Sequence, residues 1–97
     1  MFVLLTYDIE LSENGSKRLR KVAKLCQNYG VRVQKSVFEL DIDYSKFLLL
    51  KNELEGIIDL DRDSVRIYRI GKKADTKIEI LGNKNVVELA SDDALIL

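Results

Sequence analysis

The centre of the chain reads Val31-Arg32-Val33-Gln34-Lys35-Ser36-Val37-Phe38-Glu39-Leu40-Asp41-Ile42. Side chains of a β-strand alternate between two faces, so the apolar residues of one face share odd or even numbers. Here Val31 and Val33 are odd, whereas Phe38, Leu40 and Ile42 are even. A strand changes phase in this way at a bulge or a turn. We therefore predict two short strands, or one sharply bulged strand, with the bend around Lys35-Ser36.

Upstream of this pair, the sequence predicts a strand and then a helix. Residues 2–7 form a short, nearly continuous apolar run that stops at Asp8, as a buried central strand does. A polar loop closes at Asn14-Gly15, and the helix is expected from about Ser16. Gly30 is expected to end it in the left-handed conformation. The apolar stripe of this helix has helical spacing and consists of Leu19, Val22, Ala23, Cys26 and Tyr29.

Downstream, a second helix and a fourth strand follow. Asp43 is a natural N-cap for the helix, and residues 65–68 alternate as a strand does. The predicted buried face of the helix consists of Phe47, Leu50, Leu54 and Ile57 or Ile58. The order strand, helix, strand, strand, helix, strand predicts an α+β protein. Its fold class is a ferredoxin-like βαββαβ sandwich, an antiparallel sheet with both helices on one face.

The 97 residues suffice for one domain, which we divide into a core of residues 1–70 and a C-terminal extension of residues 71–97. Within the extension, residues 76–81 alternate well and residues 85–89 less well. Because the core already has its full set of strands, an extra strand needs another sheet edge. A partner subunit is one supply of such an edge, so we expect this strand to pair across a homodimer.

Charge is distributed unevenly although the net charge is zero. Residues 16–35 contain seven basic residues and no acidic one, whereas residues 36–63 contain eight acidic and three basic residues. The basic residues are Lys17, Arg18, Arg20, Lys21, Lys24, Arg32 and Lys35. They form either a solvated face or a surface for an anionic partner. We favour the anionic partner because no carboxylate compensates them within that segment.

Composition excludes several kinds of function. The chain has no histidine, so acid–base chemistry must use carboxylates, lysine, tyrosine, the one cysteine or a metal-bound water. No apolar run approaches the roughly 20 residues that span a bilayer, so we expect no membrane partner. The single cysteine and the lack of a targeting segment favour a reducing, cytoplasmic location.

Asp8 is the most informative single residue, because a carboxylate that ends a buried strand needs to cap, to pair or to bind a metal. Capping the following loop is the commoner use. One carboxylate is a poor site for Mg²⁺, which usually takes one or two carboxylates together with waters. Two copies of Asp8 that meet across a twofold axis would remove this objection.

Basic residues around the first helix are the candidates for phosphate contact. Arg18 and Arg20 lie near the helix N-terminus, where anions are favoured, and Lys17 and Lys21 are their neighbours. Arg32 continues the basic run on the following strand.

Two further residues are expected to have structural roles, and one apparent motif is rejected. Cys26 and Phe38 are predicted to pack in the core. Residues 59–63 open like a calcium-binding loop, but Ser64 and Ile70 stand where glycine and glutamate are required. This spacing excludes an EF-hand.

Residues 1–70 resemble the Cas2 family of CRISPR-associated adaptation proteins, because four characteristic segments occur in order. These segments are Tyr7-Asp8-Ile9, Lys17-Arg18-Leu19-Arg20-Lys21-Val22, Gly30-Val31-Arg32-Val33-Gln34-Lys35-Ser36-Val37-Phe38-Glu39 and Asp63-Ser64-Val65-Arg66-Ile67-Tyr68. Each segment is weak by itself, but their order in a chain of this length makes the resemblance specific.

The resemblance implies a ferredoxin-like homodimer whose C-terminal strand pairs with the other subunit's sheet. It also implies that Asp8 from both subunits holds one divalent ion, Mg²⁺ or Mn²⁺. The positions that the family ties to activity correspond here to Arg18, Arg20, Arg32, Ser36 and Phe38. A further implied partner is the CRISPR integrase, Cas one, with which the family captures new spacers.

Three functions are compatible with these features. The first is a metal-dependent endonuclease that acts on single-stranded RNA or DNA. The second is a structural adaptor that holds duplex DNA and bridges integrase subunits without chemistry of its own. The third is a stand-alone, toxin-like endoribonuclease. We expect both a role in CRISPR adaptation and a metal-dependent endonuclease activity.

Overall fold

A computed structural model describes residues 1–71 and 77–83 of the chain. The elements in chain order are β1 (Phe2–Asp8), α1 (Gly15–Gln27), β2 (Gly30–Gln34), β3 (Val37–Asp41), α2 (Tyr44–Ile57), β4 (Ser64–Ile70) and β5 (Lys77–Gly82). The five strands form one sheet in the order β2-β3-β1-β4-β5, and every neighbouring pair is antiparallel. The first four strands have the ferredoxin-like arrangement, with β1 and β3 in the centre, which confirms the predicted fold class.

The core lies between one face of the sheet and both helices. Alternate residues of β1, namely Val3, Leu5 and Tyr7, are buried, and the facing strands place Phe38 and Ile67 beside Leu5. The helices cover this face with Val22, Leu25 and Cys26 from α1 and Phe47, Leu50 and Leu54 from α2. The period of two in the strands and the helical spacing in the helices therefore meet in one apolar cluster.

The bend predicted at Lys35-Ser36 is confirmed. β2 ends at Gln34, β3 begins at Val37, and the register between the two strands shifts between Arg32 and Gln34. The change of phase separates the side chains as expected: Val31 and Val33 are exposed, whereas Phe38 and Leu40 are buried. The turn therefore carries Lys35 and Ser36 beyond the ends of both strands.

The prediction that Gly30 ends the first helix in the left-handed conformation is wrong. The helix ends at Gln27 with Asn28 as its right-handed C-cap, and Gly30 is already the first residue of β2. A side chain at this position would overlap the carbonyl oxygen of Glu39 and the side chain of Leu40 on β3. Glycine is needed here because the β3 backbone lies too close for a side chain. This requirement comes from a neighbouring strand, so the residues around position 30 do not reveal it.

The helix starts follow from their capping residues. Asp43 is the N-cap of α2, as predicted, and its carboxylate accepts a hydrogen bond of 2.8 Å from the backbone N–H of Lys46. α1 begins one residue earlier than predicted, after Asn14, which adopts a left-handed φ of 66° and makes no side-chain cap. Neither helix in residues 1–71 and 77–83 has the length and apolarity needed to cross a membrane.

The predicted C-terminal strand is present as β5, and it pairs with β4 of its own chain. Its Glu79 carboxylate lies 2.8 Å from the ammonium of Lys51 on α2 and 3.3 Å from the guanidinium of Arg69 on β4. Pairing with a partner subunit stays a prediction, because the structure contains a single chain. The second predicted strand, at residues 85–89, lies outside the described residues.

Cys26 has the packing role that the sequence predicts. It lies in the core at the apolar face of α1, with none of its side chain exposed. Removal of the thiol from water raises its pKa to about 12. Cys26 is therefore protonated and unreactive at neutral pH, and it is excluded as a nucleophile.

Candidate functional site

A cavity of about 490 Å³ opens between the end of β1, the start of α1 and the turn that joins β2 to β3. It brings together four of the residues predicted from the sequence: Asp8, Arg20, Arg32 and Ser36. Lys35, from the same basic segment, lines it as well. The rest of the wall is largely apolar and consists of Tyr7, Ile9, Leu11, Leu19 and Ala23. Residues from three separate segments thus form one cationic, apolar-walled site.

Secondary structure explains how these side chains meet. Asp8 is the last residue of β1, opposite Ser64 of β4, and its side chain is exposed where the strand leaves the sheet. Arg20 lies on the second turn of α1, next to Leu19 and one turn before Ala23 on the same side. The register shift in β2 carries Lys35 and Ser36 towards both of these elements.

Tyr7 fixes the turn that carries Lys35 and Ser36. Its hydroxyl donates a 3.1 Å hydrogen bond to the carbonyl oxygen of Lys35, and its backbone N–H donates a 3.1 Å hydrogen bond to the carbonyl oxygen of Ser36. Burial raises the pKa of the Tyr7 phenol, against the opposing effect of the nearby Arg32 guanidinium, which donates to the phenol oxygen and carries positive charge. The phenol therefore stays protonated and able to donate at neutral pH.

Phe38 acts on the cavity through Arg32 and does not line it. It is completely buried, which confirms the predicted core position, and its ring stacks on Tyr7 with 6.2 Å between centroids. The guanidinium of Arg32 also lies over the ring, 5.3 Å from its centroid. A cation over an aromatic face is attracted to it, so Phe38 holds Arg32 in place. The predicted link between Phe38 and activity stays a prediction, and the contact with Arg32 is how Phe38 reaches the cavity.

Arg18 does not lie in the cavity, and its surroundings revise its expected role. Its Nε donates a 2.7 Å hydrogen bond to one carboxylate oxygen of Asp63, and an Nη donates a 3.2 Å hydrogen bond to the other. The guanidinium also donates to the carbonyl oxygens of Glu10, Ser12 and Glu13. The hydrogen bonds to Asp63 raise the pKa of Arg18 above its ordinary value. Since its donors are occupied within the chain, Arg18 has a structural role and we leave it out of the phosphate-binding set.

Asp63 is the important residue that sequence reasoning missed. Its side chain is completely buried, and besides Arg18 it accepts hydrogen bonds from the backbone N–H groups of Glu10 (3.0 Å) and Asp59 (2.8 Å). Its backbone carbonyl accepts a 2.9 Å hydrogen bond from the N–H of Asn83, just after β5. The position of Asp63 in the sequence could have identified it. It directly precedes the buried strand that begins at Ser64, and a carboxylate there needs hydrogen-bond partners.

The remaining basic candidates lie away from the cavity wall. Lys17 and Lys21 are exposed on α1, but neither lines the cavity. They add to the positive potential around the site, which attracts an anion. Their direct contact with nucleic acid stays a prediction.

Residues 1–71 and 77–83 of one chain do not by themselves form a metal site. In the described part of the chain, no group of three or more aspartate, glutamate, histidine or cysteine residues is placed to hold a metal ion. Asp8 is the one carboxylate that lines the cavity, and its neighbours there include Arg20, Arg32 and Lys35. A divalent ion at Asp8 therefore needs further oxygen ligands, from a second copy of the chain or from a bound phosphate.

Comparisons with known proteins agree on one family. The family model described as CRISPR associated protein Cas2 matches residues 1–78. A relative from Halalkalibacterium halodurans, named "CRISPR-associated endonuclease Cas2", is 53% identical over 97 residues, with 99% of each chain covered. A relative from Rhodospirillum rubrum, named "CRISPR-associated endoribonuclease Cas2 3", is 46% identical over 88 residues, which are 90% of this chain and 93% of the relative.

Solved structures give the same result. The crystal structure of Streptococcus pyogenes Cas2 at pH 6.5 superimposes with a TM-score of 0.69 and 50% sequence identity, covering 75% of this chain and 89% of that one. A structure described as "Crystal structure of cas2" superimposes with a TM-score of 0.59 and 29% identity, covering 88% of this chain and 78% of that one.

Replacing Asp63 is expected to destabilise the whole fold. In Asp63→Asn, the buried guanidinium contact loses its counter-charge. The amide nitrogen replaces one of the two carboxylate oxygens, so it opposes the N–H of either Glu10 or Asp59 together with one N–H of Arg18. The free energy of unfolding should fall by about 3 kcal/mol, as when one partner of a buried pair is removed. Urea denaturation followed by circular dichroism measures the change. Asp61→Asn, at an exposed position of the same loop, is the matched control and should change it by less than about 0.5 kcal/mol. Equal effects of the two substitutions would contradict the role of Asp63.

Proposed function

The chain belongs to the Cas2 family of CRISPR-associated proteins, and on that premise we propose that it acts in CRISPR adaptation as a nucleic-acid-binding homodimer with metal-dependent endonuclease activity. The names of its relatives support the nuclease part of this proposal. The cavity of this chain supports it as well, because it places the carboxylate of Asp8 among three cationic side chains that would attract a phosphate. This juxtaposition of Asp8 with Arg20, Arg32 and Lys35 is the observation that carries the proposal.

The arginines are the proposed phosphate-binding groups. A guanidinium presents several N–H donors in a plane and can form two parallel hydrogen bonds to phosphate oxygens. Arg20 approaches from the helix and Arg32 from the strand, so a phosphodiester between them would have its charge neutralised from two sides. Their charges also stabilise the negative charge that develops on phosphate during cleavage. The contact between Arg32 and Phe38 keeps that arginine in position before the substrate binds.

Asp8 is the proposed metal-binding residue, with one Asp8 from each of two subunits. In this arrangement the second copy supplies a second carboxylate, which the described residues of one chain do not place at the cavity. Mg²⁺ or Mn²⁺ fits a site of carboxylates, phosphate oxygens and waters. The ion would supply Lewis-acid activation of a phosphoryl oxygen and of water. With no histidine in the chain, the candidates for side-chain proton transfer at this site are Tyr7, Asp8, Lys35 and Ser36.

Binding without cleavage is the second candidate function, and the charges of the cavity favour it. Three cations and one carboxylate are suited to holding a phosphate backbone, whether or not a reaction follows. In this case the homodimer would act as an adaptor for duplex DNA with the CRISPR integrase. The role in adaptation is tested by spacer acquisition in cells: loss of array expansion on deletion of the gene supports it, and unchanged expansion would refute it.

Asp8→Asn is expected to abolish cleavage while preserving the fold. Asparagine has the same shape but lacks the charge that attracts a divalent ion, so the cleavage rate should fall about a hundredfold or more. The measurement compares wild type and variant on single-stranded RNA and on duplex DNA, with Mg²⁺ or Mn²⁺. Asp61→Asn, purified in the same way, is the matched control. If wild type and Asp8→Asn cleave equally, or neither cleaves, the catalytic proposal fails and the binding function remains.

Arg20→Gln and Arg32→Gln are expected to weaken nucleic-acid binding by the loss of one phosphate contact each. At about 0.15 M salt the affinity should fall about two- to fivefold, the range for exposed charge pairs. The slope of log affinity against log salt should decrease by about 0.9 for duplex DNA and about 0.7 for a single strand. Fluorescence anisotropy over a range of salt concentrations measures both quantities.

Lys24→Gln is the matched control for these arginine variants, because Lys24 is an exposed cation of the same helix that does not line the cavity. Its slope should remain close to that of the wild type. A loss of the same size at Lys24 would mean that the whole helix face, and not the cavity, binds the phosphate backbone.

A further inference from the structure

The two faces of β4 differ in the polarity of their buried side chains. Val65 and Ile67 belong to the apolar core beneath the helices. Because side chains alternate along a strand, Ser64, Arg66 and Tyr68 lie on the opposite face of the sheet. All three are buried as well, and Ser64 is completely so. A buried hydroxyl or guanidinium is costly without hydrogen-bond partners, so these polar groups need them.

The hydroxyl of Ser64 lacks such a partner. Within residues 1–71 and 77–83, no hydrogen bond is formed to its Oγ. The Nε of Arg66 is unpaired too, but the Nη1 of this arginine donates a 3.3 Å hydrogen bond to the hydroxyl of Tyr68. Tyr68 lies beyond Arg66 on the side away from Ser64, so this contact holds the guanidinium away from the serine. The Ser64 hydroxyl therefore needs a partner on another strand.

The register of the sheet identifies the side chain that this hydroxyl faces. Ser64 pairs with Asp8 on β1 and with Gly82 on β5. Gly82 has no side chain, so Asp8 is the paired residue that can offer a side-chain oxygen. Side chains directly opposite in an antiparallel pair have Cβ atoms about 4.5–5.5 Å apart. At that separation, rotation about the side-chain bonds brings the serine hydroxyl within hydrogen-bond reach of the carboxylate.

The two carboxylates near Ser64 differ in whether they can accept this hydrogen bond. Both oxygens of Asp63 are already occupied by the guanidinium of Arg18 and by backbone N–H groups. Asp8, in contrast, is exposed at the end of its strand. Carboxylates that bind metal ions are commonly held in place by hydrogen bonds from groups behind them. Ser64 does not line the cavity, but it is placed to support Asp8 in this way.

We propose that Ser64 is a positioning residue for the metal site: its hydroxyl donates a hydrogen bond to the Asp8 carboxylate and fixes the direction in which that carboxylate meets a divalent ion. This inference rests on the proposed function and adds a supporting residue to it. A serine hydroxyl has one O–H to donate, so one carboxylate oxygen is held while the other stays free for the ion. In a symmetric homodimer, the two copies of Ser64 would hold both copies of Asp8 alike.

The test measures metal binding instead of cleavage. The full chain is titrated with Mn²⁺, and electron paramagnetic resonance measures the free ion. The wild type is compared with Ser64→Ala, which removes the hydroxyl, and with Ser64→Thr, which retains one. Thr6→Val is the matched control, because Thr6 shares the sheet face of Asp8 but pairs with Arg66. Asp8→Asn defines the signal expected when the proposed metal ligand is missing.

The expected result is a loss of affinity without a loss of stability. Ser64→Ala should bind Mn²⁺ about tenfold more weakly than the wild type, the lower end of the loss on removing a group behind a metal ligand. Ser64→Thr and Thr6→Val should bind as the wild type does. Without metal, the thermal midpoint of Ser64→Ala, measured by circular dichroism, should equal or exceed that of the wild type, because an unpaired buried hydroxyl has been removed. A merely structural role would give a lower midpoint and unchanged affinity.

Three outcomes would overturn the inference while the proposed metal site stands, provided that Asp8→Asn loses the ion. The first is unchanged affinity in Ser64→Ala, and the second is an equal loss in Thr6→Val. The third is a loss in Ser64→Ala together with a lower midpoint in the absence of metal. If the wild type binds no Mn²⁺, or if Asp8→Asn binds it as tightly as the wild type, the metal-dependent part of the proposed function is refuted and the inference with it.

Discussion

The ion pair between Arg18 and Asp63 is the contact on which the rest of this structure depends. A carboxylate that is completely buried is costly unless every oxygen has a partner, and Asp63 receives hydrogen bonds from a guanidinium and two backbone N–H groups. These donors come from the loop after β1, from α1 and from the loop before β4. The Asp63 backbone also bonds to Asn83, just after β5. Elements that are distant in sequence are therefore joined at one point, next to the cavity.

The basic segment of the chain contains arginines of two kinds, which their surroundings separate. Arg18 and Arg20 differ by two positions in one helix, so they point in different directions. Arg18 meets a carboxylate and several carbonyl groups, whereas Arg20 faces an open cavity. One arginine holds the loop in place, and the other is available to a ligand. A count of charges along the sequence treats them alike.

Local patterns predicted the elements, whereas contacts between distant segments determined the details that were missed. The phase change around Lys35-Ser36 is a property of adjacent residues, and it placed the bend correctly. The need for glycine at position 30 arises from the backbone of Glu39, and the role of Arg18 arises from Asp63, far along the chain. Asp8, Arg20, Arg32 and Ser36 were named from the sequence, but their meeting in one cavity depends on the order of the strands. The apolar wall of the cavity was not predicted, because the helical spacing of Leu19 and Ala23 indicated that both side chains pack in the core.

The register shift in β2 affects how the exposed edge of the sheet can pair with other chains. Among the strands of residues 1–71 and 77–83, β2 lies at an edge of the sheet, with Val31 and Val33 exposed along it. A flat apolar edge favours the addition of strands from other chains, as in an amyloid fibril. The irregularity between Arg32 and Gln34 interrupts that edge after three residues, and the positive charges of Arg32 and Lys35 flank it. Bulges and basic side chains are two means by which natural sheets resist aggregation. The bend that carries Lys35 and Ser36 into the cavity thus also protects the protein from polymerising through its own backbone.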